Sequence, residues 1–312
     1  MLDRKIGKET NSPTMKSLIT ATLVFLLVWS IRQLSFAQDN SQSASIEFQM
    51  QADLAKSSEP DTALLNHRVV PVPSTYKLNQ KRALWFGLGN VAFGVAGYFW
   101  SQQAWGSSSG KFHWKNDWTG DILAQNDEMS HTVTSYNFSR YFQTAYQWLG
   151  LSPNRSMTFG TLHSALLASF IEYPIDAYNP LQGLGVSDLM ANYIGCGLAL
   201  GHYHLPALRN FALKLSFKQA PWIATAHGVA GTALEFDNDI YWLTFRPVYK
   251  KIDFVHFGLG YSTNHFNIIV EREYYLGLGT TIPDLIRIVS PKVSRWLLPL
   301  DMFYLEFHHR LE

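Results

Sequence analysis

The stretch Gly185-Val186-Ser187-Asp188-Leu189-Met190-Ala191-Asn192-Tyr193-Ile194-Gly195 decides how the middle of this chain is read. Gly183 and Gly185 interrupt what precedes it, Ser187 is a natural N-cap, and an apolar run continues to about His202, so the pattern predicts a helix. Two more helices are expected upstream. One runs from Asn126 to Trp148 and is stopped by Gly150, Ser152, Pro153 and Asn154; the other runs from Ser156 to about Tyr173 and is ended or kinked by Pro174. Three successive helices with short links favour an antiparallel bundle.

Beyond Pro206 the pattern changes. Ile240–Phe245, Phe254–Tyr261, Glu273–Leu278 and Met302–His308 are rich in aromatic and branched residues, with Gly, Asn and Pro between them, and read as short strands or extended segments. Their alternation is imperfect and the last residues are Leu311-Glu312 rather than an aromatic, which speaks against a complete outer-membrane barrel. The expected fold is therefore mainly α: a membrane-associated antiparallel helical bundle over residues 79–205, with an aromatic-rich extended region, 206–312, packed on it.

Upstream of the bundle, Ala83 to Trp100 is eighteen residues without a charge, between Lys81-Arg82 and Ser101-Gln102-Gln103. By length it can span a bilayer. Its glycines Gly87, Gly89, Gly94 and Gly97 suit close helix packing equally well, so both readings stand. Residues 38–78 are rich in Ser, Gln, Asp and Pro, and Pro60, Pro71 and Pro73 prevent a long helix, which marks a flexible tether.

The N-terminus reads as an export signal over residues 1–37, with translation starting at Met15. Met15-Lys16 is followed by fourteen uncharged residues, Leu18 to Ile31, and Ser35 and Ala37 stand at −3 and −1 of a cut before Gln38. As a helix that core reaches roughly 21 Å, short of a hydrocarbon layer of about 30 Å, which favours a cleaved signal over an anchor. Gln38 at the new terminus excludes a lipoprotein, and the single cysteine, Cys196, excludes an intramolecular disulfide.

Charge does not select a partner. Lys plus Arg (25) nearly balance Asp plus Glu (24) and no polybasic run occurs, so nucleic acid is not expected. With only 16% charged and 14% aromatic residues, the composition points to membrane lipid or another envelope component as the partner, on the periplasmic face of a bacterial cell envelope.

Three predicted helices each carry a polar pair four residues apart: Asp127 with His131, Glu172 with Asp176, and Asp188 with Asn192. Each pair shares one helix face. Glu172 follows the apolar run Ala165–Ile171 and Asp188 precedes Leu189-Met190-Ala191, where an isolated carboxylate costs several kcal/mol, so these groups are expected to find partners. A structural polar network is the simplest use of them. They also suit a divalent metal, or an acid–base group in which Asp127 orients His131 while Glu172 or Asp188 exchanges a proton. No His-Glu-x-x-His, Gly-x-Ser-x-Gly or phosphate-cradling loop is present, and no cofactor is indicated. His163, nine residues before Glu172, falls on the opposite helix face and outside this group. His202 and His204 suit a helix end, and His308-His309 a polar tail.

The segments Asn126-Asp127-Glu128-Met129-Ser130-His131, Phe170-Ile171-Glu172-Tyr173-Pro174-Ile175-Asp176 and Gly185–Gly195 follow one another as in the YfiM-like family of envelope proteins, itself similar to VanZ-like membrane proteins. Asp239–Leu243, Gly258-Leu259-Gly260-Tyr261 and Arg272–Leu276 resemble the longer members, so the resemblance covers about Phe112 to the C-terminus. It implies an envelope location and a compact helical core, and no established reaction. The family's first motif is usually Asp-Lys-x-x-His; here Glu128 stands in place of the lysine. The expected function is structural support of the envelope or the holding of an apolar, lipid-like ligand. The alternative is a metal-dependent or acid–base enzyme acting on an envelope lipid or peptidoglycan component.

Overall fold

The computed structural model describes residues 76–104, 108–115, 124–219, 236–247, 252–266 and 269–311. The expected export signal and nearly all of the expected tether lie outside these residues. The helical part comprises α1 (Gln80–Ala104), α2 (Asn126–Leu149), α3 (Pro153–Phe170) and α4 (Val186–His204). The C-terminal part is one five-stranded antiparallel meander, β1 (Phe211–Phe217), β2 (Asp239–Phe245), β3 (His256–Phe266), β4 (Ile269–Thr280) and β5 (Leu305–Leu311), paired in sequence order. Two short helices, α5 (Ile282–Val289) and α6 (Pro291–Trp296), sit between β4 and β5.

This corrects the expectation of a mainly helical bundle with short extended segments. The fold is α+β, because β3 and β4 are strands of 11 and 12 residues in a continuous ladder from Phe266↔Ile269 back to His256↔Gly279. The pattern misleads because neither face of the sheet is polar in the usual way. Its inner face carries Trp242 and Tyr275 beside Gly258, Gly260 and Gly277, while its outer face carries Leu and Phe, so apolar and small residues follow one another without clean alternation.

Trp242 is completely buried and organises the inner face. Its indole N–H donates to Ser216 Oγ (2.8 Å), and the rings of Tyr304 and Tyr275 lie 5.3 and 6.3 Å away. A Cβ at Gly258, Gly260 or Gly277 would come within 2.8 Å of the indole, so these strands can pass the ring only as glycine. The sheet curls around this group until Leu215 of β1 meets Phe303, just before β5, with Tyr304 N–H donating to the Leu215 carbonyl (2.8 Å).

Helix α2 lies between α3 and α4 and approaches both through small residues. A Cβ at Gly160 of α3 would stand 2.4 Å from Gln143 N, and one at Gly195 of α4 would stand 2.2 Å from the Thr132 carbonyl oxygen. The side chains closing these seams are also small: Ser139 Oγ lies 3.6 Å from Cys196 Sγ, and Ser164 Oγ donates to the Ser135 carbonyl (3.0 Å). Helix α4 is consequently inverted, burying Ser187, Asp188, Ala191, Asn192, Gly195, Cys196 and Ala199 while exposing Val186, Met190, Tyr193, Ile194 and Leu198.

Candidate functional site

Backbone geometry brings the three polar pairs together. Asp127 and His131 occupy the first turns of α2, and Asp188 and Asn192 those of α4. Glu172 and Asp176 follow α3, where Tyr173 leaves helical geometry (φ −140°, ψ 115°) because Pro174 crowds the residue before it. The helix thereby opens into a wide turn, Ile171–Ile175, that points Glu172 into the protein, where it is 1% exposed.

His131 is the hub. Its Nε2 lies 3.4 Å from Asp127 Oδ1 and 3.9 Å from Asp188 Oδ1, and its Nδ1 lies 3.6 Å from Glu172 Oε1 and 3.0 Å from Asn192 Nδ2. Asn192 in turn accepts from Ser135 Oγ (2.6 Å) and approaches Glu172 Oε1 at 3.5 Å. Asp176 is held at the edge, its carbonyl accepting from Asn179 N–H (2.9 Å) and Gly183 N–H (3.0 Å).

Sequence reasoning missed Lys115. Its Nζ bridges Asp127 Oδ2 (2.8 Å) and Asp188 Oδ2 (3.1 Å), and so supplies a cation although position 128 is Glu. Lys115 is aimed there by a short backbone pairing: Leu184 N–H donates to the His113 carbonyl (3.0 Å) and Lys115 N–H to the Leu184 carbonyl (3.1 Å). The available signal was the charge count of the motif, four carboxylates against one imidazole, which demands a further cation.

The electrostatics follow from burial and contact. Burial works against the Lys115 ammonium, but Asp127 and Asp188 outweigh it and hold its pKa above the ordinary lysine range. Burial likewise opposes charge on His131, yet the hydrogen bond and charge of Asp127, together with Glu172 and Asp188, raise it to about 10. Asp127 would be pushed up by burial, but His131 and Lys115 bring it well below the carboxylate range. Burial dominates at Glu172 and Asp176, which are pushed up to about 8 and about 7. Glu172 therefore holds its proton more tightly than an ordinary carboxyl, which limits the negative charge gathered around His131.

Among the described residues, His163, His202 and His308 lie elsewhere. His163 is stacked on Phe142 (centroids 3.8 Å apart) with Tyr146 Oη 3.2 Å from its Nδ1, and burial lowers its pKa to about 4. His202 pairs with the Tyr136 hydroxyl (3.1 Å) and His308 with Glu306 (3.1 Å).

A second polar group under the sheet was also not foreseen. Asp301 is clasped by Arg140 (3.0 Å) and by the fully buried Lys214 (3.3 Å), and His256 Nε2 meets Asp284 Oδ2 at 2.8 Å. These contacts join α2, the sheet and the α5–α6 segment.

Comparison with known protein families, with curated proteins and with solved structures finds no match to this chain.

Proposed function

We propose that this is a non-enzymatic protein of the bacterial cell envelope, held at a membrane by α1 and by an apolar outer surface, in which the polar cluster clamps the helices. The observation that carries the reading is the inverted polarity of the sheet. Across four strands, Phe245, Phe257, Leu278 and Phe307 form one registered row, and Leu243, Leu259 and Leu276 form the next. Every one of these side chains is 39% exposed or more, and Phe307 is 89% exposed. The opposite face holds Lys214, Ser216, Thr244, His256 and Glu273, all buried. A sheet folded for water alone puts these sets the other way round. Lipid contact accounts for apolar residues outside with polar ones inside.

Two further features support the reading. Helix α4 repeats the inversion with its outer stripe Val186, Met190, Tyr193, Ile194 and Leu198. Helix α1, with 25 residues, is about 37 Å long. Its window Gln80–Gln102 is long and apolar enough to cross a membrane, and only 6% of the window is buried. Its first turns dock on the helical core, where Ala83 and Phe86 meet Tyr146 and Leu149, and its last turn is tied to Ser108 by Gln102. The resemblance to the YfiM-like family agrees with an envelope location, and the export signal is the route to it.

Membrane fractionation of cells expressing the full chain tests this. The protein is expected in the membrane pellet after carbonate washing and to need detergent for extraction. Recovery as a monomer from the soluble fraction without detergent overturns the reading.

A further inference from the structure

We propose that Asp127 Oδ1, His131 Nε2 and Asp188 Oδ1 form a binding site for a divalent transition metal ion, with zinc the best match to the donor set. The inference goes beyond the membrane-held reading and does not depend on it. One donor atom from each of Asp127, His131 and Asp188 lies within 4.8 Å of the other two. Ligands at about 2.0–2.2 Å from a tetrahedral zinc ion stand roughly 3.3–3.6 Å apart. The His131–Asp127 separation of 3.4 Å already meets that spacing, and the His131–Asp188 separation of 3.9 Å has to close by a few tenths of an ångström.

The two aspartates are divided in the same way. Each gives Oδ2 to the Lys115 ammonium, at 2.8 and 3.1 Å, and each turns Oδ1 toward the His131 ring. Lys115 thus fixes both carboxylates without using the oxygens that would hold an ion. The independent sign is Asp188 Oδ1. Asp188 is 3% exposed, yet this oxygen accepts no hydrogen bond from any described residue. An unsatisfied buried carboxylate oxygen is costly, and a cation between it and His131 removes the cost.

The surroundings complete the case. A metal-bound imidazole presents its other ring N–H to an acceptor behind the ring. With an ion on Nε2 the proton sits on Nδ1, and Glu172 Oε1, 3.6 Å away, becomes its acceptor once the Asn192 amide nitrogen, now 3.0 Å from Nδ1, turns aside. One nitrogen and two carboxylate oxygens are a workable zinc set with a position left over. His131 and Asp127 are 24% and 16% exposed at their side chains, so water can reach that fourth position. The donors come from the first turns of α2 and α4, so an ion would tie these helices at their N-terminal ends, ahead of the mid-helix seam at Ser139 and Cys196.

The test uses the full chain in detergent, stripped of metal by a chelator and equilibrated with micromolar Zn²⁺. Wild type is expected to retain one ion per chain, and His131→Ala and Asp188→Asn to bind at least tenfold more weakly. Co²⁺ in place of Zn²⁺ should give wild type visible absorption bands that Asp188→Asn lacks. Asp188→Asn keeps the size and one acceptor of the side chain, and its helix content by circular dichroism checks the fold; should His131→Ala fail to fold, this variant and the Co²⁺ spectrum decide. Wild type that retains no more zinc than the variants, or a folded Asp188→Asn that binds as tightly as wild type, overturns the site.

Discussion

Lys115 shows what a single residue does here. It reaches Asp127, twelve positions on, and Asp188, seventy-three positions on, and is the ammonium between them. Lys115→Met removes that charge and leaves two carboxylates facing each other. Because the amine is a quarter exposed, the loss should fall below the 3–5 kcal/mol of a fully buried pair, at about 1–3 kcal/mol in chemical unfolding. Lys115→Arg should recover part of it. His163 makes a different prediction. Its pKa is about 4 in the folded protein against 6.5 ordinarily, so between these values the unfolded chain binds a proton that the folded one does not. The contribution of His163 itself is therefore fully present above pH 6.5 and is lost as pH drops toward 4, by roughly 3 kcal/mol at about 1.4 per unit, while Glu172 and Asp176, raised to about 8 and about 7, act with the opposite slope. His163→Phe keeps the stack on Phe142 and removes this contribution, so the stability difference between variant and wild type should shift in the variant's favour by roughly 3 kcal/mol from pH 6.5 to pH 4, as read from unfolding curves of both across that range. The pairs Asp127–His131 and Asp188–Asn192 were legible because four residues is one helical turn. Lys115 was not, because its approach depends on a backbone pairing with Leu184.

At the scale of elements, α4 teaches the most. Its pattern marked a helix correctly but not which face turns inward, since the usual rule sends the large apolar side chains to the core. Here the seam with α2 is so close that only small residues fit. Gly195→Ala would set a Cβ 2.2 Å from the Thr132 carbonyl oxygen, and should cost about 1–3 kcal/mol. Gly197→Ala, two residues on, meets nothing within 4 Å and should instead stabilise the helix by up to about 1 kcal/mol. Thermal melting of the two variants side by side checks this. The strands were the harder reading. Only segments overlapping β2 to β5 were recognised, those for β3 and β5 starting two and three residues early, and β1, Phe211–Phe217, was not, although Lys214 on it is fully buried. Trp242→Ala should cost about 3–5 kcal/mol, because the glycines around the indole have no side chains with which to fill the space.

On the scale of the whole molecule, the outward rows of Leu and Phe and the exposed length of α1 set the relation to solvent. If lipid covers the sheet, Leu259→Asp with Leu276→Asp, neighbours at 59% and 47% exposure, should weaken retention in carbonate-washed membranes while leaving the buried Trp242 cluster folded. Unchanged retention would remove the sheet from the membrane contact and leave α1 as the anchor among the described residues. The low charge and aromatic excess pointed toward an apolar environment from composition alone. Which residues meet it could not be read there, because composition has no direction.

By itself the sequence determined the approximate ranges of the central helices, the Asp127–His131 and Asp188–Asn192 pairs along them, the lack of any polybasic run, and the apolar length of α1, all of which depend on residues within a few turns of one another. The tertiary structure alone decided that the pairs converge on His131, that Lys115 joins them, that the C-terminal segments make one curled sheet, and that polar groups face in while apolar ones face out. These are contacts between residues far apart in the chain, and an apolar side chain reads the same whether it meets a core or a lipid.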